Sequence, residues 1–552
     1  MSEPPLQTAD FKLSLAKLRY RPYNILSIIL IVLLAFLVLF PLFQIIYTSL
    51  TYQSNDLRLV RDAQVGAFTF FHYSRVFVGK LAMPSWVMAL AWQLIFRNNK
   101  IGGATGMLTA FFGVEAPDWV SYGAFPIIIC LALHYYAYSY LLVSGALATI
   151  NSELEEAGSL SGLKRLRVMK SITFPLVLPA LGSSFVLTFS RSMGTFGTPA
   201  LLGLPVRFFT IPTQIYASIN SRNTGDSFVL ALVLVFLAAI AIYINSKIIG
   251  KRKSFVTMGG KGFRSRLNQL GRWKKVVTAA VFIFLFFVII VPVLLLAWST
   301  LMMKTDDYSL SNITTHYWFG KSNINIAGGQ EGIFRNPGIW RGVWNSIRLG
   351  VSAALINGFA GLLIGYAVVR GRGTWFSKAL ETVSFAPYVF PSIAMGAIYL
   401  GMFAHRIGPI PALYGTFILI VLIVVVKNMP FSSRTGISAI LQIDKSLEEV
   451  AQLEGIRWFK RFRLVLFPLA RSGFFSGMIL TFITAMRELS LIILLITPGT
   501  RVLTTIIFAY NDQDQVQHAN GVTLILLLII VSANFIVRKF FGSKSVLGLK
   551  ES

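Results

Sequence analysis

The sequence predicts an all-α polytopic membrane protein made of two tandem homologous halves, with about 11 membrane segments. Three observations carry this. The 552-residue chain is 55% hydrophobic, has a mean hydropathy of +0.68 and only 13% charged residues, about half the charge of an ordinary soluble domain. Apolar stretches of about 20 residues, enough to cross a hydrocarbon core of about 30 Å, recur along it. One polar, basic block occurs twice, at Glu155–Leu176 and Glu448–Leu469, each time between long apolar segments.

Residues 1–23 form a basic N-terminus with Lys12, Lys17, Arg19 and Arg21. The apolar run that follows is too long for a secretory signal and lacks a small-residue cleavage site, so it is expected to stay as the first span. The first half covers 24–249, with spans expected at 24–49, 122–148, 172–199 and 226–248 and a shorter apolar segment at 81–96. A linker at 250–274 carries Lys251, Arg252, Lys253, Lys261, Arg264, Arg266, Arg272 and Lys274 and no acid. The second half covers 275–540, with spans expected at 275–301, 342–369, 378–404, 411–428, 470–496 and 520–538, and a tail at 541–552. The net charge of +28 comes from 50 basic and 22 acidic residues. Because the basic residues sit in short loops between spans, this is a positive-inside signal rather than a nucleic-acid surface. The linker, both termini and the loops at Arg370, Lys427–Arg434 and Arg457–Arg463 are therefore expected in the cytoplasm. The polar stretches 50–80 and 302–340 are expected outside; the second holds the turn formers Asp306, Asp307, Asn312, Gly328, Gly329 and Pro337.

The halves are not equal in span number. Met83-Pro84-Ser85 resembles Phe390-Pro391-Ser392, yet far less apolar chain precedes it within its half. One span is therefore expected to be missing from the first half, and a deletion from a twelve-span ancestor and a non-crossing segment at 81–96 are equally compatible with the sequence. For both blocks to face the cytoplasm, 81–96 must not cross fully. Its length as a helix, about 24 Å, suits a re-entrant or loop-packed segment.

Each block reads as a short helix, a turn and a second helix that returns to the membrane. Asn151 and Ser152 suit the first cap, and Glu153, Glu155 and Glu156 suit the positive helix start; Ser446, Glu448 and Glu449 repeat the arrangement. Six residues after Glu156 and Glu449 come Gly162 and Gly455, which permit a left-handed turn, and nineteen after come Pro175 and Pro468. Such a unit suits a groove in a soluble partner. These residues resemble the coupling loop of ABC-importer permeases, E-A-A-x-x-x-G followed by a proline. Carried over, Glu156, Ala157, Gly158 and Gly162 form the first loop, and Glu449, Val450, Ala451 and Gly455 the second, with Glu155 and Glu448 just ahead of them. Gly158 and Val450 depart from the alanine of the pattern.

The resemblance implies two permease domains fused in one chain of a bacterial cell membrane. It implies docking by two copies of a cytoplasmic ABC ATPase and delivery of solute by an extracytoplasmic binding protein. The chain has no G-x-x-x-x-G-K-[ST] of its own, so it is expected to be no ATPase and to need no cofactor. The segments Phe189–Gly197 and Phe482–Ser490 are similar to fused permeases of ferric-iron uptake. Related permeases handle thiamine, 2-aminoethylphosphonate, polyamines and sulfate.

Charges inside apolar segments are costly and face cavities or partners. Arg191, Arg487 and Glu488 are such charges, candidates for the translocation path or a gate. A structural Arg487–Glu488 pair, or snorkelling near a span end, is the alternative. Lys427 is placed at an inner edge as a topology signal. His72, His134, His316, His405 and His518 are scattered, and Cys130 is the single cysteine, so no metal site is expected. Two other classes compete. A secondary transporter would use intramembrane acids, of which Glu488 is the main candidate. An intramembrane enzyme would need a motif such as H-E-x-x-H or G-x-S-x-G, and neither occurs.

Overall fold

The computed structural model describes residues 87–99, 105–148, 157–250 and 291–541, apart from Ser159, Asp306 and Val389, plus Ile29, Leu30 and a few positions between 276 and 283. The expected first span, the loop at 50–80, the linker, most of the span at 275–301 and the tail lie outside these residues, as do Glu155 and Glu156.

The protein is helical, and among the described residues the only extended pairing is two isolated bridges, Met302 with Ile313 and Ile407 with Ile410. The first half contains α1 (Val87–Phe96), α2 (Ala124–Ala148), α3 (Phe174–Met193), α4 (Ile211–Asn220) and α5 (Thr224–Gly250). The second contains α6 (Pro337–Arg370), α7 (Trp375–Phe385), α8 (Ser392–Phe403), α9 (Phe417–Leu441), α10 (Lys445–Leu453), α11 (Phe467–Met486), α12 (Leu503–Asp512) and α13 (Val516–Phe541). Among the described residues, five helices are long and apolar enough to cross a bilayer, and up to eight if each bent pair counts as one span.

Four expected spans differ from what is observed; the one at 172–199 ends at Met193, and a separate short helix follows at Gly197–Gly203. The one at 378–404 is broken: α7 and α8 meet at 104°. Pro391 has no amide to continue the ladder, and the residue before a proline is pushed out of the helical region. The one at 411–428 runs instead to Leu441, through Pro430 and the polar Ser432, Ser433 and Arg434. Those residues read as a span end in the sequence, but Ser432 and Ser433 are buried against neighbouring helices. The one at 470–496 ends at Met486; residues after it turn irregularly and lead into α12, which the sequence did not show as a separate helix. Helix α4 stands in the corresponding place of the first half. In α1, ten residues cover about 15 Å, less than a bilayer core.

Both repeated blocks re-enter through a π-helical turn, Met169–Thr173 and Phe462–Leu466, directly before Phe174-Pro175 and Phe467-Pro468. A wide turn leaves room for the proline ring and the amide it lacks. Helices α6 and α9 pack backbone to backbone: a Cβ on Gly436 would lie 2.0 Å from the Gly361 carbonyl oxygen. Small residues permit such contacts in a medium without a hydrophobic drive between helices. The halves interlock as well. The ring of Phe228 on α5 fills the space beside Gly401 on α8, and Gly194 lies against Pro391. The Phe196 amide donates to Ser490 Oγ across the two halves at 3.1 Å.

Candidate functional site

Two regions answer to the residues singled out in the sequence: the repeated loops, and a cavity between the halves.

Helix α10 is the core of the second loop. Asp444, not Ser446, caps it: Ser446 N donates to Asp444 Oδ1 at 2.9 Å. That bond holds the exposed Asp444 carboxyl below its ordinary range. Glu448 and Ala451 face inward and are buried. Glu448 accepts from Tyr366 Oη at 2.6 Å and from Arg370 Nε at 2.9 Å, both on α6. Glu449 faces solvent and pairs with Lys445 at 2.6 Å. The opposite side of α10 presents Leu447, Val450 and Leu453, exposed by 47%, 59% and 87%. The helix ends where Ile456 N donates to the Ala451 carbonyl at 3.1 Å, around Gly455 at φ 73°. This is the Schellman closure that favours glycine.

The first loop closes the same way. Leu163 N donates to the Gly158 carbonyl at 3.1 Å, around Gly162 at φ 79°. A Cβ on Gly158 would sit 2.7 Å from Ile172 Cδ1, the far end of a flexible side chain, so the alanine of the resembled pattern would need only a shift of that side chain. Ala157 is exposed. Leu160, two residues before Gly162, is 89% exposed and matches Leu453, two before Gly455. This leucine pair is an addition to the residues singled out in the sequence. The signal was present, since an apolar residue precedes each turn glycine at the same spacing.

The cavity, of about 390 Å³, lies between the halves and gathers Arg191, Arg487 and Glu488. It also takes Lys427 and His134, which the sequence analysis assigned elsewhere. Lys427 is not at an inner edge: α9 continues fourteen residues beyond it. Its Nζ donates to the Phe390 carbonyl, at the break between α7 and α8. A helix broken by proline leaves carbonyls without amide partners, and a cation is a favourable cap for them. In the register that sets Pro175 against Pro468, His134 on α2 stands opposite Lys427 on α9, and Tyr135 opposite Asn428. Tyr135 Oη and Thr195 Oγ1 are 2.7 Å apart, and Thr484 Oγ1 donates to Asn428 Oδ1 at 2.8 Å. The guanidinium of Arg191 lies over the rings of Tyr388 and Phe431, 5.2 and 5.3 Å from their centroids. Glu488 Oε1 accepts from the Leu491 amide at 3.1 Å, and no ion pair joins it to Arg487. The structural-pair alternative for these two residues therefore lacks its bond. Among the described residues no group of three or more His, Cys, Asp or Glu gathers to hold a metal ion.

Comparison with known proteins agrees with this architecture. The family of binding-protein-dependent transport system inner membrane components matches the chain twice, at residues 63–254 and 358–541. A candidate ferric transport system permease of Haemophilus influenzae is 28% identical over 80% of this chain and 68% of its own length. A ferric transport system permease of Actinobacillus pleuropneumoniae is 27% identical over 83% of this chain and 64% of its own length. The chain thus spans about two thirds of these relatives. A solved chain from a bacterial ABC transporter for alginate import overlaps 48% of this chain and 95% of its own length, at 15% identity and a TM-score of 0.38. With two matched regions that together take in more than half of its length, the chain belongs to the binding-protein-dependent inner membrane components, the permeases of ABC importers.

Proposed function

We propose that the chain is the membrane subunit of an ATP-driven importer in a bacterial inner membrane, with ferric iron as its solute. An extracytoplasmic binding protein delivers the solute, and the central cavity opens alternately to each side. Two copies of a separate cytoplasmic ABC ATPase supply the energy by seating on the two repeated loops. The observation that carries this reading is the matched pair of exposed leucines, Leu160 and Leu453, each standing beside a left-handed glycine turn. A lone exposed apolar side chain needs no explanation; what supports docking is its recurrence at the matching position of both loops, and, on the second loop, its continuity with exposed Leu447 and Val450. The lack of a G-x-x-x-x-G-K-[ST] in the sequence supports assigning hydrolysis to the partner. Iron as the solute is supported by the ferric-transport relatives.

The test is reconstitution with the ATPase subunit and binding protein that copurify with the chain. Leu160→Glu and Leu453→Glu are expected to lose ATPase copurification and ATP-dependent uptake of radioactive iron. Uptake that continues without any ATPase would overturn the importer reading in favour of a secondary transporter.

A further inference from the structure

The central cavity has a charge that the iron reading alone does not explain. Among the described residues, its charged lining consists of Arg191, Lys427 and Arg487 against a single acid, Glu488, with His134 nearby. The two guanidiniums are cationic side chains contributed one by each half. They outnumber the carboxylate even before the ammonium of Lys427 is counted. A bare trivalent cation would be repelled there, and among the described residues no cluster of His, Cys, Asp or Glu would ligate it. Of the neutral polar lining, Thr195 and Thr484 donate their hydroxyls to protein oxygens, while the Ser490 hydroxyl, which accepts from the Phe196 amide, and the second amide hydrogen of Asn428 offer donors of the kind that solvate oxygen atoms. The volume, about 390 Å³, is far larger than an ion stripped of its ligands needs.

We propose that the cavity takes its solute as an oxyanion: a carboxylate- or phosphate-bearing anion, free or still bound to ferric ion. Arg191 and Arg487, one from each half, attract and orient it, and Glu488 limits how tightly it is held. This deepens the importer reading, on which it rests only in taking the cavity as the path of the solute.

The test needs no ATPase. A single cysteine is placed at Ser490 in a Cys130→Ala background, with Ser392→Cys as a second reporter in case the first fails to fold. In the purified full chain, its rate of modification by a negatively charged methanethiosulfonate (ethylsulfonate) is compared with that by a positively charged one (ethyltrimethylammonium). The negative-to-positive rate ratio is expected to exceed that of a free small thiol by about tenfold or more, as a cavity lined by one sign of charge would impose. Arg191→Gln or Arg487→Gln should return most of that excess. A ratio at or below the free-thiol value overturns the proposal. In a second arm, citrate, orthophosphate and ferric citrate are added at matched ionic strength. Slowing by citrate or orthophosphate supports a free oxyanion, and slowing by ferric citrate alone supports a liganded ferric ion. No slowing by any of the three overturns the oxyanion assignment. A failed charge preference would leave ATPase docking untouched, and failed docking would leave these rates unchanged, so the two readings fail separately.

Discussion

Glu448 and Arg370 stand 78 positions apart in the chain and 2.9 Å apart in space. Their side chains are only 10% and 8% exposed. The same guanidinium reaches the Ile443 carbonyl at 3.4 Å, and Tyr366 Oη takes the other carboxylate oxygen. Helix α10 is thereby tied to the end of α6. If the loop is moved from outside, as proposed, this tie is the route by which the movement would reach the longest described helix of the second half.

This tie gives the first prediction. Arg370→Ala leaves a buried carboxylate without its cation, at a cost of about 3 kcal/mol or more. The purified permease should lose thermal stability, and uptake should fall further than ATP hydrolysis does. Combining it with Glu448→Gln should cost less than the sum of the single changes, because the two residues share one interaction. Strict additivity in thermal unfolding would show that the contact does not couple them.

The turn glycines give the second. Gly162 and Gly455 hold φ of 79° and 73°, yet a Cβ at either would meet nothing within 4 Å. The requirement is conformational, not steric crowding by neighbours. Gly455→Ala should cost about 1–2 kcal/mol, and Gly455→Asn less, since asparagine tolerates the left-handed region. Equal losses in stability for both variants would contradict this account.

Leu453 separates docking from folding. A polar replacement at an exposed site without other contacts usually moves stability by no more than about 0.5 kcal/mol. Leu453→Glu should therefore melt like the parent protein while losing ATPase-stimulated transport. A large drop in melting temperature would mean that the leucine is packed in the assembled permease.

The cap of α10 sets a pH expectation. The Asp444 carboxyl is held below its ordinary value of 3.8 by the Ser446 amide and side chain. A depressed folded value means that its stabilising contribution is fully present above the unfolded value and is lost as pH falls through the folded one. Coupling measured from neutral pH down to about 5 should show no loss from this cap, with α10 loosening only in stronger acid. Asp444→Asn, which keeps an oxygen acceptor, should remove that acid step while retaining the cap. Loss of coupling between pH 7 and 5 that Asp444→Asn abolishes would refute the assignment.

The sequence by itself determined the helical membrane class, the tandem repeat and the place of both loops. These follow from hydropathy over about 20 residues and from glycine and proline at set distances, which act through neighbouring backbone alone. The left-handed turns at Gly162 and Gly455 were legible for the same reason. Tertiary structure decided the rest. Which of two adjacent glutamates turns inward depends on Tyr366 and Arg370, supplied by another helix. The charge of Lys427 looked like a span end because Pro430 and three polar residues follow it. Only the neighbouring helices that bury Ser432 and Ser433, and the open carbonyl of Phe390, let the helix continue and hold that ammonium at the cavity. His134 became a site residue through the meeting of the halves, which sets it on the same cavity as Lys427. Local pattern sets what each segment is; burial and partners from distant segments set what its polar groups do.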